Sequence, residues 1–292
     1  MTSGRATAVG FCAILMWGLL APLSKMAGDV PALQLLSMCF AIGGLVGVAS
    51  WPFRPQAIMV LTSQKWQVWG LNVGALFGCH FLYFLAVRNA PVVEVSLIAY
   101  LWPLFIVVFS AIAPGEHLRW YHLVGVVLGL VGTFLVITKG QSFSVVNGLQ
   151  PGHIIAVPYA ILWAGFSVLI RRYGDVPSDI VAGFCAACAA LSGICHFLVE
   201  PTLWPLSQAQ WGAIIALGVL PMGLAFYAWD FGMKRGDRIV LGAASYLAPL
   251  LSTVILIGTG FAAYHWSVAV GCALIIIGAF IAAKNTIFKR TI

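Results

Sequence analysis

His80 and Tyr83 stand three residues apart in a run, residues 67–87, that holds no Asp, Glu, Lys or Arg. On a helix this spacing puts an imidazole and a phenol on one face. Tyr100 and Trp102 flank Pro103 in a second apolar run, and Ser245 and Tyr246 precede Pro249 in a third. Trp17 and Trp163 sit mid-run in two more. Proline has no amide hydrogen and crowds the carbonyl four residues before it, so the carbonyls of Ala99 and Ser245 are freed. The chemistry these types offer is binding. Aromatic walls give apolar contact and a π-face for an ammonium group. Freed carbonyls and the Ser245 hydroxyl accept from an amine, and helix breaks present amides to a carboxylate. We read Trp17, His80, Tyr83, Ala99, Tyr100, Trp102, Pro103, Trp163, Ser245, Tyr246 and Pro249 as one site for a modest amphipathic solute. Core packing is the competing role for each aromatic alone; their grouping around two prolines carries the reading. Tyr100 and Trp102 are two apart, so only unwinding at the proline lets both face one cavity.

The elements that position them follow from composition. Apolar residues are 62% of the chain and charged residues 8%, against about 25% charged in soluble domains. So little charge cannot cover a hydrated surface, and lipid is the solvent. Ten apolar runs lie near 7–26, 32–51, 67–87, 92–113, 121–138, 152–171, 178–199, 211–231, 239–261 and 265–284. Every backbone group in a bilayer must be satisfied within its segment, which predicts helices. The runs do not alternate as barrel strands would. The expected fold is all-α, integral to the membrane, with ten transmembrane helices.

With the N-terminus on one face, that face collects 12 of the 15 Lys and Arg residues, among them Arg54, Lys284, Lys289 and Arg290. The other face holds only Lys25, Arg88 and Lys139. The positive-inside rule places both termini in the cytoplasm. The net charge of +7 is thus a topology signal; no basic stripe exists to bind nucleic acid. Trp51, Trp66, Trp69, Trp120, Trp204, Trp211 and Trp266 fall near run ends, where indoles favour the interface. Trp17, Trp102, Trp163 and Trp229 do not. The stretch after Arg5 has no small-residue cleavage site and reads as a first span, not a signal peptide. Cys185 and Cys188 form the one C-x-x-C, which without further ligands reads as small packing residues, not metal or redox chemistry. Neither a metal nor a cofactor is expected.

A shift of 146 residues superposes the chain on itself. Gly28-Asp29-Val30-Pro31 returns as Gly174-Asp175-Val176-Pro177, and Tyr100-Leu101-x-Pro103-Leu104 as Tyr246-Leu247-x-Pro249-Leu250. Trp17 lands on Trp163; Trp120, Gly125 and Gly132 land on Trp266, Gly271 and Gly278. The repeats are 1–146 and 147–292, with five spans each. An odd number makes the second enter the membrane from the opposite face, and in inverted repeats the site lies at their interface near the midplane. Symmetry fails where His80 meets Phe226 and Trp102 meets Ala248, which predicts a lopsided site drawn more from the first repeat. Ionisable residues at membrane depth are functional candidates: His80 is the deepest, and Glu94 and Asp230 lie nearer span ends, as candidates to carry a proton. Glu116 and Lys25 sit at span ends, where snorkelling suffices. Gly70, Gly74 and Gly78, and Gly125 with Gly129, are rows that predict close helix packing.

The chain resembles the drug/metabolite transporter superfamily, EamA type. The resemblance rests on Trp17-Gly18 followed by Lys25, on Leu101 to Phe105 leading to Pro114 to Leu118 with Glu116, and on the glycine-spaced fifth and tenth spans. The second repeat has Ala262-Ala263 where that family often has a glutamate, so Glu116 has no matched partner. Trp17, His80, Tyr83, Tyr100, Trp102, Trp163 and the S-Y-L-A-P run are most similar to the aromatic amino acid exporters of that superfamily. The resemblance implies a carrier, not an enzyme, exporting aromatic and other neutral amino acids across a bacterial inner membrane by alternating access. Its partners are then that small-molecule substrate and membrane lipid; oligomeric state stays open, a monomer being sufficient. A drug or other metabolite exporter is the alternative. An intramembrane enzyme is disfavoured, because His80, Glu94 and Asp230 lie at different depths and form no local motif.

Overall fold

A computed structural model of the chain describes residues 2–49, 51–53, 56–112, 119–141 and 149–288. Glu116 and the Pro114–Leu118 segment lie outside the described residues, as do Arg54, Lys289 and Arg290. Among the described residues the structure is helical, with no strand. The first part comprises α1 (Ser3–Trp17), α2 (Leu20–Met26), α3 (Ala32–Val48), α4 (Ala57–Ser63), α5 (Trp66–Arg88), α6 (Val92–Ala99), α7 (Trp102–Ile112) and α8 (Trp120–Thr138). There follow α9 (Pro151–Leu169), α10 (Val181–Val199), α11 (Gln208–Val219), α12 (Ala225–Arg235), α13 (Arg238–Ala244), α14 (Leu247–Gly258) and α15 (Trp266–Phe288). Among the described residues eight helical stretches are long and apolar enough to cross a membrane, and Glu94–Ser110 and Trp266–Ala282 are shorter apolar helices. Leu45, Phe197, Leu198 and Phe280 stand exposed on the outside, as lipid rather than water requires.

The chain marks its helix ends with local chemistry. Asp237 accepts from the amides of Ile239 and Val240 at the start of α13, and Ser207 accepts from Gln210 at the start of α11. Both satisfy donors a helix leaves open. Lys139 (φ 55°) and Gly140 (φ 71°) turn the chain out of α8 in the left-handed region. The repeated G-D-V-P motif does not fold identically: Gly28 has φ 76° and Gly174 has φ −59°.

Three helical stretches are broken where the sequence gives cause. The backbone leaves regular helix at Tyr100–Leu101, before Pro103, and again at Ser245–Tyr246, before Pro249. It also leaves it at Gly18–Leu19. A Cβ on Gly18 would meet the Leu251 side chain at 2.7 Å, so the glycine is what lets α14 lie against the first span. Pro221 opens a π-helical turn, Leu220–Leu224, between α11 and α12.

The most extensive packing pairs α8 with α15, α3 with α10, α1 with α12 and α5 with α9. A shift of 146 residues carries the first two pairs onto themselves and exchanges the last two. At the α8–α15 crossing Gly125 faces the Gly278 carbonyl, and Gly132 faces that of Gly271 at 2.7 Å from an added Cβ. Gly129 lies against the Tyr246 ring. The other glycine row does not pack as its spacing predicts. Among the described residues nothing lies within 4 Å of a Cβ built on Gly70 or Gly74, and Gly78 meets only Leu162. Small residues permit a close approach but do not choose which face another helix covers. Cys185 and Cys188 are buried in α10, with Gly44 of α3 beside Cys185.

Candidate functional site

A cavity of about 410 Å³ opens between the helices. Its lining runs from Ser24, Leu33 and Val87, beside Lys25 and Arg88, down to Trp17, Trp102, Trp163 and Phe226. Of the sequence-derived residues, Trp17, His80, Tyr83, Ala99, Tyr100, Trp102 and Trp163 line it. Tyr100 and Trp102 reach it together because α6 ends at Ala99 and α7 begins at Trp102, which breaks the angular rule of a continuous helix. Pro103, Ser245, Tyr246 and Pro249 are not in the lining.

The second kink is satisfied from within. Ser245 donates to the Leu241 carbonyl at 2.7 Å, and its own carbonyl accepts from the Ala248 amide at 3.1 Å. Tyr246 is wholly buried against Gly129. Only Ala248 represents that stretch in the cavity.

The floor is a cluster of rings around Trp17. Its ring centroid lies 5.0 Å from Trp229, 5.9 Å from Trp163, 6.2 Å from Trp102 and 6.5 Å from Phe226, mostly edge to face. Such pairs add about 0.5–1.5 kcal/mol each beyond area burial. The indole of Trp17 donates to the Pro221 carbonyl at 3.1 Å, and that of Trp229 to Ser167 at 3.1 Å. The indoles of Trp102 and Trp163 make no such bond among the described residues, which leaves two N–H donors in the cavity wall.

Next to this cluster, His80 Nδ1 lies 2.7 Å from the Leu76 carbonyl, and its ring makes edge contacts with Phe40 and Phe226. Tyr83 exchanges a hydrogen bond with Ser96 at 3.0 Å and tilts against Tyr159, with centroids 5.6 Å apart. Pro103 cannot supply an amide hydrogen to Ala99, whose residue is part of the wall. Among the described residues no Asp, Glu, Lys or Arg lines the cavity.

Sequence reasoning missed Tyr159, Phe226 and Cys79, all of which line it. Tyr159 was findable, since it stands four residues before Trp163 on the same helix and so shares its face. Phe226 is where the 146-residue shift carries His80, and the two rings touch at 6.2 Å.

The other two proton candidates lie outside the cavity lining. Glu94 accepts from His153 Nε2 at 2.5 Å. The Gln150 amide donates to His153 Nδ1, so the imidazole hydrogen sits on Nε2. Asp230 is buried with Lys234 at 2.8 Å. Ser178 donates to the same carboxylate oxygen at 2.6 Å, and Lys234 also donates to the Val176 carbonyl at 3.0 Å. Near Arg88, Glu200 accepts from the amides of Leu33 and Gln34 and from His196, tying the start of α3 to the end of α10.

The profile of the EamA-like transporter family matches residues 5–138 and 150–284. The chain is 47% identical to the aromatic amino acid exporter YddG of Ancylobacter novellus, over 97% of this chain and 98% of that one. It is 24% identical to the exporter of the same name from Salmonella typhimurium, over 87% and 88%, and 23% identical to the biotin transporter of Escherichia coli, over 86% and 85%. A solved crystal structure 47% identical in sequence superposes with a TM-score of 0.90, covering 96% of this chain and 98% of that one.

Proposed function

The chain belongs to the EamA-like transporter family, and from that premise we propose that it exports aromatic and other neutral amino acids by alternating access through this cavity. One observation carries the reading: a solute-sized cavity walled by tryptophans, tyrosines and a histidine, without a formal charge. A volume near 410 Å³ suits a small solute, since ligand pockets run roughly 300–1,000 Å³. Neutral donors and acceptors suit a zwitterion, whose two charges cancel overall. The relative with 47% identity carries an aromatic amino acid exporter's name, which supports the substrate class.

The carrier is read as ten spans in two inverted repeats, 1–146 and 147–292, with both termini in the cytoplasm of a bacterial inner membrane. The exchange of helix pairs under the 146-residue shift and the paired contacts Gly125–Gly278 and Gly132–Gly271 support this. The described state is then outward-facing: the cavity reaches the Lys25–Arg88 end, and the ring cluster with Asp230, Lys234 and Ser178 closes the other. Rocking of one repeat against the other exposes the site to each side in turn. The test is flux of radiolabelled amino acids in proteoliposomes. Neutral amino acids, aromatic ones included, should move down their gradients; no movement of any of them sinks the reading.

A further inference from the structure

We propose that His80 reads the amino group of the substrate, accepting a hydrogen bond from its ammonium N–H at Nε2. The inference rests on the amino-acid reading above and assigns one part of the substrate to one atom of the site. A carbonyl oxygen only accepts, so the 2.7 Å contact between His80 Nδ1 and the Leu76 carbonyl fixes the ring hydrogen on Nδ1. Among the described residues no carboxylate lines the cavity to hold an imidazolium, so the ring is neutral and Nε2 keeps its lone pair. Among the described residues no protein donor serves that atom. The ring lies between Phe40 and Phe226, and neither a ring flip nor a shift of the hydrogen to Nε2 keeps the Leu76 bond as it stands.

Among the other neutral acceptors of the wall, the Ala99 carbonyl can share the ammonium group with Nε2, and the rest are weaker or engaged. Ser96 is bonded to Tyr83, and phenol oxygens are poorer acceptors than imidazole nitrogen. Aromatic faces also attract an ammonium group, but that attraction does not need an N–H and is kept by a quaternary nitrogen. The two modes therefore separate by substrate chemistry. A hydrogen bond to Nε2 demands at least one N–H on the amine, whereas a π-face does not.

The test uses the full-length protein in proteoliposomes, with labelled phenylalanine as the transported solute and its Nα,Nα-dimethyl and Nα,Nα,Nα-trimethyl forms as competitors. These differ by one methyl, but only the first keeps an N–H. For the wild type the trimethyl form should compete about tenfold less well or worse, the size expected of a hydrogen bond to a charged group. His80→Ala should bring the two competitors to within about twofold of each other, and His80→Gln, which restores an acceptor, should recover part of the ratio. Calorimetric binding of both analogues to detergent-purified protein gives the same ratio for a variant that has lost flux. Wild-type flux of phenylalanine separates this proposal from the transport reading. Equal competition by the two analogues in an active wild type, or an unchanged ratio in His80→Ala, overturns the role of Nε2 while leaving transport intact.

Discussion

Replacing Lys234 with methionine should be one of the most damaging single changes outside the cavity, and replacing Asp230 with asparagine in the same chain should repair most of the damage. Lys234 and Asp230 are one helical turn apart on α12 and bury nearly all of their side chains. The ammonium group meets the carboxylate at 2.8 Å and the Val176 carbonyl at 3.0 Å. Without it, among the described residues the Asp230 carboxylate keeps only the Ser178 hydroxyl, while its second oxygen already has no partner there. Removing one member of a buried pair costs about 3–5 kcal/mol, because the charge left behind has lost its compensation. At roughly 2 °C per kcal/mol for a chain of this size, Lys234→Met should lower the unfolding midpoint by about 6–10 °C. Asp230→Asn with Lys234→Met leaves no charge to compensate, and buried pairs replaced whole are often close to neutral. A thermal-stability double-mutant cycle on detergent-purified protein should therefore return a coupling of at least about 2 kcal/mol. Additivity of the two single changes to within about 0.5 kcal/mol would refute the argument that this pair is a mutually dependent unit.

Gly125→Ala and Gly74→Ala should part company in the same thermal assay. The first drives a methyl into the Gly278 carbonyl, where neither backbone can yield, and should cost about 1–3 kcal/mol; the second enters open space and gains about 0.5–1 kcal/mol of helix propensity. Trp163→Phe keeps an apolar ring in the cavity wall but deletes an uncommitted N–H. Apparent affinity for a neutral amino acid should fall by about fivefold, near 1 kcal/mol, with purified yield unchanged; unaltered affinity would remove that indole from the site. Trp17→Phe deletes the bond to Pro221 and should destabilise the fold by about 0.5–1.5 kcal/mol, measured by unfolding in detergent.

How much of this was legible in the sequence depended on what the bilayer dictates and what it leaves to packing. Span positions were legible because lipid leaves a backbone few choices. The predicted runs 67–87 and 121–138 became Trp66–Arg88 and Trp120–Thr138. The kink at Pro103 was legible too, and it delivers both Tyr100 and Trp102 to the cavity wall. The matching kink at Pro249 misled, since Ser245 can satisfy itself on Leu241 and its carbonyl on Ala248. A local hydrogen bond of that kind competes with any ligand and leaves no mark on residue type. Gly70 and Gly74 misled for another reason, because a small-residue row reports capacity for contact and not contact itself. Asp230 and Lys234 share a helix face at a spacing any reader can see, yet the burial that gives the pair its weight comes from Ser178 and Val176, more than fifty residues away.

The uncharged cavity wall has a consequence for energetics. Under the proposed function the solute is a zwitterion with no net charge, the lining adds none among the described residues, and Asp230 is paired with Lys234. Carrying that solute then moves no net charge of its own through the membrane field, so a voltage worth about 2.3 kcal/mol per elementary charge per 100 mV does no work on the solute. Under the proposed function the only force on a zwitterionic solute is the ratio of its concentrations on the two sides. Such a protein behaves as a relief valve: it empties a cell that has overfilled with an amino acid and falls silent when the two sides are level. Flux in liposomes should then be indifferent to an imposed potassium diffusion potential and should reverse when the amino acid gradient is reversed.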